Sequence, residues 1–181
     1  MKNADLAILG LIREKPRYGY EIEQVIEERT MRNWTDIGFS SIYHILSRLE
    51  NNGYIAGRLH ESPGSGPARK IYEMTARGRD AWNKATLEAL STPVKCDQTF
   101  FLGLLGLPIL PLPDLMEALD QYVEQLKERR QQASARWQEI GEETSEVIDA
   151  MFEHCLHMID AEIDWIVAFR ARLAAEAAHG R

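Results

Sequence analysis

Cysteine is scarce: the 181 residues contain two, Cys96 and Cys155, far apart along the chain. They supply no disulfide framework and fit a reducing compartment. Long apolar runs are lacking as well. The longest candidate, Phe100 to Leu112, is shorter than the roughly 18 residues needed to cross a bilayer and is broken by Pro108 and Pro111. The opening stretch "MKNADLAILGLIREK" is amphipathic, interrupted by charge and without a clear cleavage site, so no signal peptide is expected. These absences point to a cytoplasmic protein without a membrane partner. Catalytic signatures are missing too: there is no phosphate-binding glycine loop, no nucleophile elbow and no paired metal motif, and the scattered His and Asp lack the context of a triad. The expectation is therefore a non-enzyme that needs no cofactor.

What is present is an ordinary globular composition, 45% hydrophobic and 27% charged, enough for one domain or two small ones. The net charge of −7 is unevenly spread. Residues 1–90 hold 13 Lys and Arg against 12 Asp and Glu, whereas residues 91–181 hold 8 against 16. Arg58, Arg69, Lys70, Arg77 and Arg79 face only Glu61 and Glu73 within residues 58–79, a local excess of three positive charges. Screening limits the reach of distant charge to roughly 10 Å, so such a patch can bind phosphate in an acidic protein.

The stretch "SSIYHILSRLENNGYI", residues 40–55, has helical spacing. Ile42, Ile45, Leu46 and Leu49 form one apolar stripe, Ser40 or Ser41 can cap its start, and Gly53 can end it in a left-handed conformation. Its other side carries Ser40, His44, Ser47 and Asn51, with Tyr43 and Arg48 on the shoulders and no acid. A merely solvated face usually mixes Glu and Lys. Upstream, Leu6, Ile8, Leu9, Leu11 and Ile12 predict a helix over Asn3 to Lys15, ended by Pro16. Ile22, Val25, Ile26 and Arg29 predict a second helix from Tyr20. Downstream, "YIAGRLHES" and "ARKIYEMT" read as two strands joined by the turn-rich "PGSGP", and Thr75 caps a further helix whose Trp82 and Leu87 face inward.

Helix, helix, turn, helix and then a hairpin is a recurrent DNA-binding order, in which the second helix of the pair enters the major groove and the wing lies along the phosphates. On this reading Arg48 bonds guanine or phosphate. Ser40, Ser41, Tyr43 and His44 sit near the start of the recognition helix for bases or phosphate, with Ser47 on the same face. Arg69 and Lys70 stand at the base of the wing.

Three blocks, "ILGLIREKPRYGYEI" at 8–22, "SSIYHILSRLENNGYI" at 40–55 and "GPARKIYEMTARGR" at 66–79, make the chain resemble the PadR family of bacterial transcriptional regulators. The resemblance implies a winged helix-turn-helix, a dimer assembled by C-terminal helices, and repression relieved by a ligand. It places Gly19 and Tyr20 in the turn before the second helix, Tyr43, Leu46 and Leu49 in the recognition helix, Gly53 at its end, and Lys70, Tyr72, Thr75 and Gly78 around the wing. Tyr18 stands where the family often has histidine and His44 where it often has proline. Those two positions, with Tyr20, join the candidate DNA-binding residues and are where this chain's own operator preference is expected.

In the second half, "DQTFFLGLLGL" predicts a short apolar helix, and Asp114 opens a long one carrying Leu115, Leu119, Tyr122, Leu126, Ala133, Trp137 and Ile140. Gly141 and Thr144 mark a corner. Ile148, Met151, Cys155, Met158, Ile163, Ile166, Phe169 and Leu173 then continue a stripe to the end. This antiparallel arm has more apolar surface than two helices bury alone, so a second copy is expected to cover it. The arm resembles the longer C-terminal domain of one branch of the family, the virulence-activator-like one.

The fold expected is thus mainly α: a winged helix-turn-helix with a two-stranded wing over residues 1–90 and a helical dimerisation arm over 91–181. The function expected is a ligand-responsive repressor, a homodimer on a palindromic operator in double-stranded DNA. Trp34, Trp82, Trp137 and Trp165 are candidates to line a pocket for a small aromatic effector. Two rivals remain. One is a metal sensor using His154, Cys155 and His157, although Cys155 points toward the seam as a small core residue; the other is a helical interaction module that binds no DNA.

Overall fold

In the computed structural model the described residues are 1–33, 35, 37–38, 41–60, 69–93, 98–141 and 145–179. They fall into two compact units, Met1–Lys95 and Cys96–Arg181. In the first, the broad apolar surface read in the opening stretch forms helix α1 (Asn3–Glu14), whose Ile8, Leu9, Leu11 and Ile12 are all buried. Helix α2 (Gly19–Glu28) contributes Ile22 and Ile26, and helix α3 (Ile42–Asn51) contributes Ile42, Ile45, Leu46 and Leu49. These stripes meet in one core, which is what the helical spacing required.

Each junction has a local cause. Glu21 reaches back to accept the Tyr18 backbone N–H at 2.8 Å, which satisfies one otherwise orphaned donor at the start of α2. Gly53 ends α3 at φ +70°, a conformation that a Cβ would strain. The cap expected from serine at the start of α3 takes another form. Ser41 occupies the cap position, but its hydroxyl donates to the Gly38 carbonyl at 2.7 Å instead of accepting from the helix. Ser40 lies outside the described residues.

The wing is built from strands β2 (Ile55–His60) and β3 (Arg69–Met74), antiparallel in register from Ile55 opposite Met74 to His60 opposite Arg69. Tyr72 and Met74 point into the core. A third strand joins them that the sequence reading lacked: β1 (Arg17–Tyr18) pairs with β3, placing Arg17 opposite Tyr72 and Tyr18 opposite Ile71. Two residues are too few to show a period of two. Arg17 is held there, 5% exposed, by donating to the Leu11 carbonyl at 3.0 Å and to Glu14 at 2.7 Å. The wing loop around Pro63 to Pro67 lies outside the described residues.

Helix α4 (Ala76–Ser91) starts at Thr75, whose hydroxyl accepts from the Gly78 N–H at 2.9 Å and donates to the Gly53 carbonyl at 2.7 Å. Trp82 packs against the core as expected. Leu87 does not. It is 67% exposed, because α1 covers only one side of α4 and the spacing from Trp82 turns Leu87 away.

In the second unit, α5 (Gln98–Leu105), α6 (Leu112–Ile140) and α7 (Glu146–Ala178) follow the expected order, α6 opening two residues before Asp114. Arg170 pairs with Asp120 and Arg130 with Asp160, while Trp137 Nε1 donates to Asp149. Partners that fall along α7 as they rise along α6 make the hairpin antiparallel. Leu119, Val123, Leu126 and Ile166 form its small core, with Phe100 of α5 packed on it. No described helix is long and apolar enough to cross a membrane.

The stripe expected along α7 splits in two. Ile163, Ile166, Phe169 and Leu173 pack toward α6, but Ile148, Met151, Cys155 and Met158 are exposed. Here α6 covers only one arc of α7, and these four lie beyond it. Cys155 is thus an exposed free thiol, not a core residue.

Candidate nucleic-acid interface

With its four aliphatics buried, α3 turns Tyr43, His44, Ser47 and Asn51 outward, all exposed. No carboxylate lies among them. Tyr43, 57% exposed, lays its ring against the start of α2: a Cβ on Gly19 would sit 2.8 Å from Tyr43 Cε1, so only glycine allows this approach. Tyr18 and Tyr20 flank that glycine and stack on each other with centroids 5.7 Å apart. The Arg69 guanidinium of β3 lies 5.3 Å from the Tyr20 ring centroid, a cation–π distance. The first turn of α2, the first turn of α3 and the base of the wing thus converge on a cluster of phenols beside a cation.

Lys70, Arg58 and Arg48 are each paired with a carboxylate of the protein. Lys70 donates to Glu50 Oε2 at 2.7 Å, and Glu50 Oε1 also accepts the Gly57 N–H at 3.1 Å. That hydrogen bond holds the Lys70 ammonium above the usual lysine range. Arg58 of β2 lies 3.5 Å from Glu73. Arg48, expected to reach guanine or phosphate, places its guanidinium on the Asp5 carboxylate of α1. Below them, burial pushes the Tyr72 phenol above its ordinary value.

Of the residues singled out from sequence, Tyr18, Tyr20 and Arg69 are linked by ring contacts, and Tyr43 lies against Gly19 between the two tyrosines. His44 and Ser47 share the outward face of α3, and Ser41 sits half-buried at its start. Asp5 and Glu50 were missed. Their partners lie 43 and 20 residues away, on other elements, and no local pattern announces such pairs.

Of the four tryptophans, Trp137 and Trp165 belong to the same unit, and those two do not meet. Trp34 lies outside the described residues, and Trp82, in the first unit, has the Arg13 guanidinium 4.2 Å from its ring centroid. In the second unit Trp137 stacks on Phe152, while Trp165 stacks on Phe169 and meets Phe100 edge-on. The partners of Trp137 and of Trp165 on α7 are separated by roughly 25 Å at about 1.5 Å per residue. As for metal, among the described residues no three His, Cys, Asp or Glu gather to hold an ion, and His154, Cys155 and His157 are all exposed.

Comparison with known proteins agrees with this geometry. The family described as transcriptional regulator PadR-like matches residues 8–84. A Lysinibacillus sphaericus protein described only as uncharacterized is 40% identical over 75 residues, covering 41% of this chain and 67% of that protein. Among solved structures, Bacillus subtilis PadR in complex with operator DNA is similar in fold, with a TM-score of 0.74 at 19% identity over 94% of this chain and 98% of that one. The same protein in complex with p-coumaric acid aligns with a TM-score of 0.76 at 18% identity and the same coverage. Through the winged-helix unit that holds the tyrosine cluster and α3, the chain belongs to the PadR-like family of transcriptional regulators.

Proposed function

We propose that the chain is a homodimeric, sequence-specific DNA-binding regulator that lays α3 in the major groove and the wing along the phosphates. The observation that carries this reading is the outward face of α3: Tyr43, His44, Ser47 and Asn51 stand exposed and acid-free over a buried apolar stripe. In this reading His44 and Ser47 approach base edges, and Ser41 and Tyr43 meet phosphate or bases at the helix start. Tyr18, Tyr20 and Arg69 receive the adjacent backbone. The fold shared with a relative captured on operator DNA supports it.

Dimerisation belongs to the same reading. On α7, Met151, Cys155, Met158 and Trp165 are exposed at spacings of four, three and seven, the spacing of a coiled-coil seam. A second copy related by a two-fold axis covers that seam and presents two recognition helices to a palindromic site. Repression relieved by a small aromatic ligand is the regulatory mode favoured by the relative bound to p-coumaric acid. Tryptophan emission titrated with phenolic acids reads it directly, and an unchanged spectrum across the panel removes those compounds as inducers.

The decisive experiment is selection from random duplexes with purified protein. The expected product is a palindrome whose half-sites are centred about one helical turn apart. Arg69→Ala should weaken binding to all sequences alike and flatten the dependence on salt by about one unit of slope. Equal, weak binding to every duplex at moderate salt would sink the proposal.

A further inference from the structure

Arg48 is the single Lys or Arg in the recognition helix, and its guanidinium rests on Asp5. Asp5 is 8% exposed in the first turn of α1, whereas the Arg48 side chain keeps 40% of its surface. Around the helix Arg48 stands next to His44, at the edge of the outward face, so its tip lies within a side-chain swing of whatever that face meets. An arginine so placed, if free, would bind any phosphate regardless of sequence, because backbone contacts position a protein without reading bases. A nearly buried carboxylate that already neutralises it removes that contact.

We infer that Asp5 is a specificity-determining residue: it withholds Arg48 from the DNA backbone and so keeps sequence-independent binding weak, leaving discrimination to the neutral side chains of α3. The inference rests on the DNA-binding reading above and assigns Asp5 and Arg48 as positioning residues instead of contacts. Glu50 does the corresponding work on the opposite shoulder, where it holds Lys70 and the Gly57 N–H of the wing.

The test compares wild type, Asp5→Asn, Arg48→Gln and the double variant on a random-sequence duplex and on the selected palindrome, across a salt series, with thermal unfolding to verify that each is folded. Asp5→Asn should tighten random-duplex binding about fivefold to tenfold near 0.1 M salt and steepen the log–log salt slope by about 0.9, the signature of one added phosphate contact. The ratio of palindrome to random affinity should fall. Arg48→Gln alone should leave the slope at the wild-type value, and the double variant should return to it. A purely structural ion pair would lower the unfolding midpoint without steepening the slope. The inference is overturned if folded Asp5→Asn binds random duplex no better than wild type, or if Arg48→Gln flattens the wild-type slope by about one unit. Both readouts use random duplex, so absence of any preferred palindrome would count against the regulator reading and not against this one.

Discussion

Helices α3 and α7 carry apolar stripes of the same period, and the two fare differently. On α3, Ile42, Ile45, Leu46 and Leu49 are all within 3% of complete burial, packed among α1, α2 and β2. On α7, Met151 keeps 48% and Met158 59% of its surface, because α6 packs along one arc of the helix and these two lie beyond it. A stripe states that a helix must pack; the number of neighbours states whether the demand is met within one chain. Helix α3 of the winged-helix unit satisfies its apolar stripe internally and leaves a polar face outward. The helical arm leaves apolar surface outward, the surface that the proposed second copy would cover.

The sharpest way to break this comparison is truncation in each stripe. Leu46→Ala should cost about 2–5 kcal/mol of stability by chemical denaturation, since removed methylenes leave a cavity in a core with no freedom to close. If Leu46→Ala costs less than about 1 kcal/mol, the claim that α3 is fully seated falls. Met158→Ala in a dilute monomer should cost no more than about 0.5 kcal/mol, the ordinary effect at an exposed site. Placing charge in the same stripe tests what covers it. Met151→Glu with Met158→Glu should shift sedimentation from dimer to monomer while far-ultraviolet circular dichroism stays unchanged; a dimer that persists would move the interface elsewhere.

The smallest expected effect is a pH dependence in the winged-helix unit. Arg29, donating at 2.6 and 3.0 Å, holds the Glu14 carboxyl below its usual value of 4.5, with Arg17 adding to the effect. A carboxyl lowered by folding adds stability that is fully present above its unfolded value and is lost as pH falls through the lowered folded value. Glu14 is 43% exposed, so solvent screening keeps the contribution to roughly 0.2–1 kcal/mol. Glu14→Gln should therefore reduce stability slightly at neutral pH and make the acid limb of a melting series shallower below pH 4.5. An acid limb identical to wild type would show that the Arg17–Glu14–Arg29 cluster is thermodynamically silent.

Much of the first unit was legible because its signals are local. Gly53 needed only its own backbone to end α3, Thr75 capped α4 through a residue three positions on, and the stripe of α3 is visible within ten residues. Strand β1 was not, since its two residues are strand only through pairing with β3, more than fifty residues later. The outward face of α3 was legible as a face. That Arg48 belongs to Asp5, and Lys70 to Glu50, was not, because an isolated cation in a sequence looks the same whether its partner is a phosphate or a carboxylate brought in by folding. The split stripe of α7 has the same origin: periodicity places Cys155 and Met158 on an apolar side without saying how wide an arc α6 will cover.

The sequence by itself determined the order of the long helices and of the two wing strands, the stripe that seats α3 and the family, since backbone preference and hydrophobic period act over a few residues and survive in any context. Only the tertiary structure decided which charges remain available and which apolar surface remains open. Both depend on groups far apart in the chain arriving within a few ångströms of one another, where Coulomb attraction and the exclusion of water act over distances that no sequence window contains.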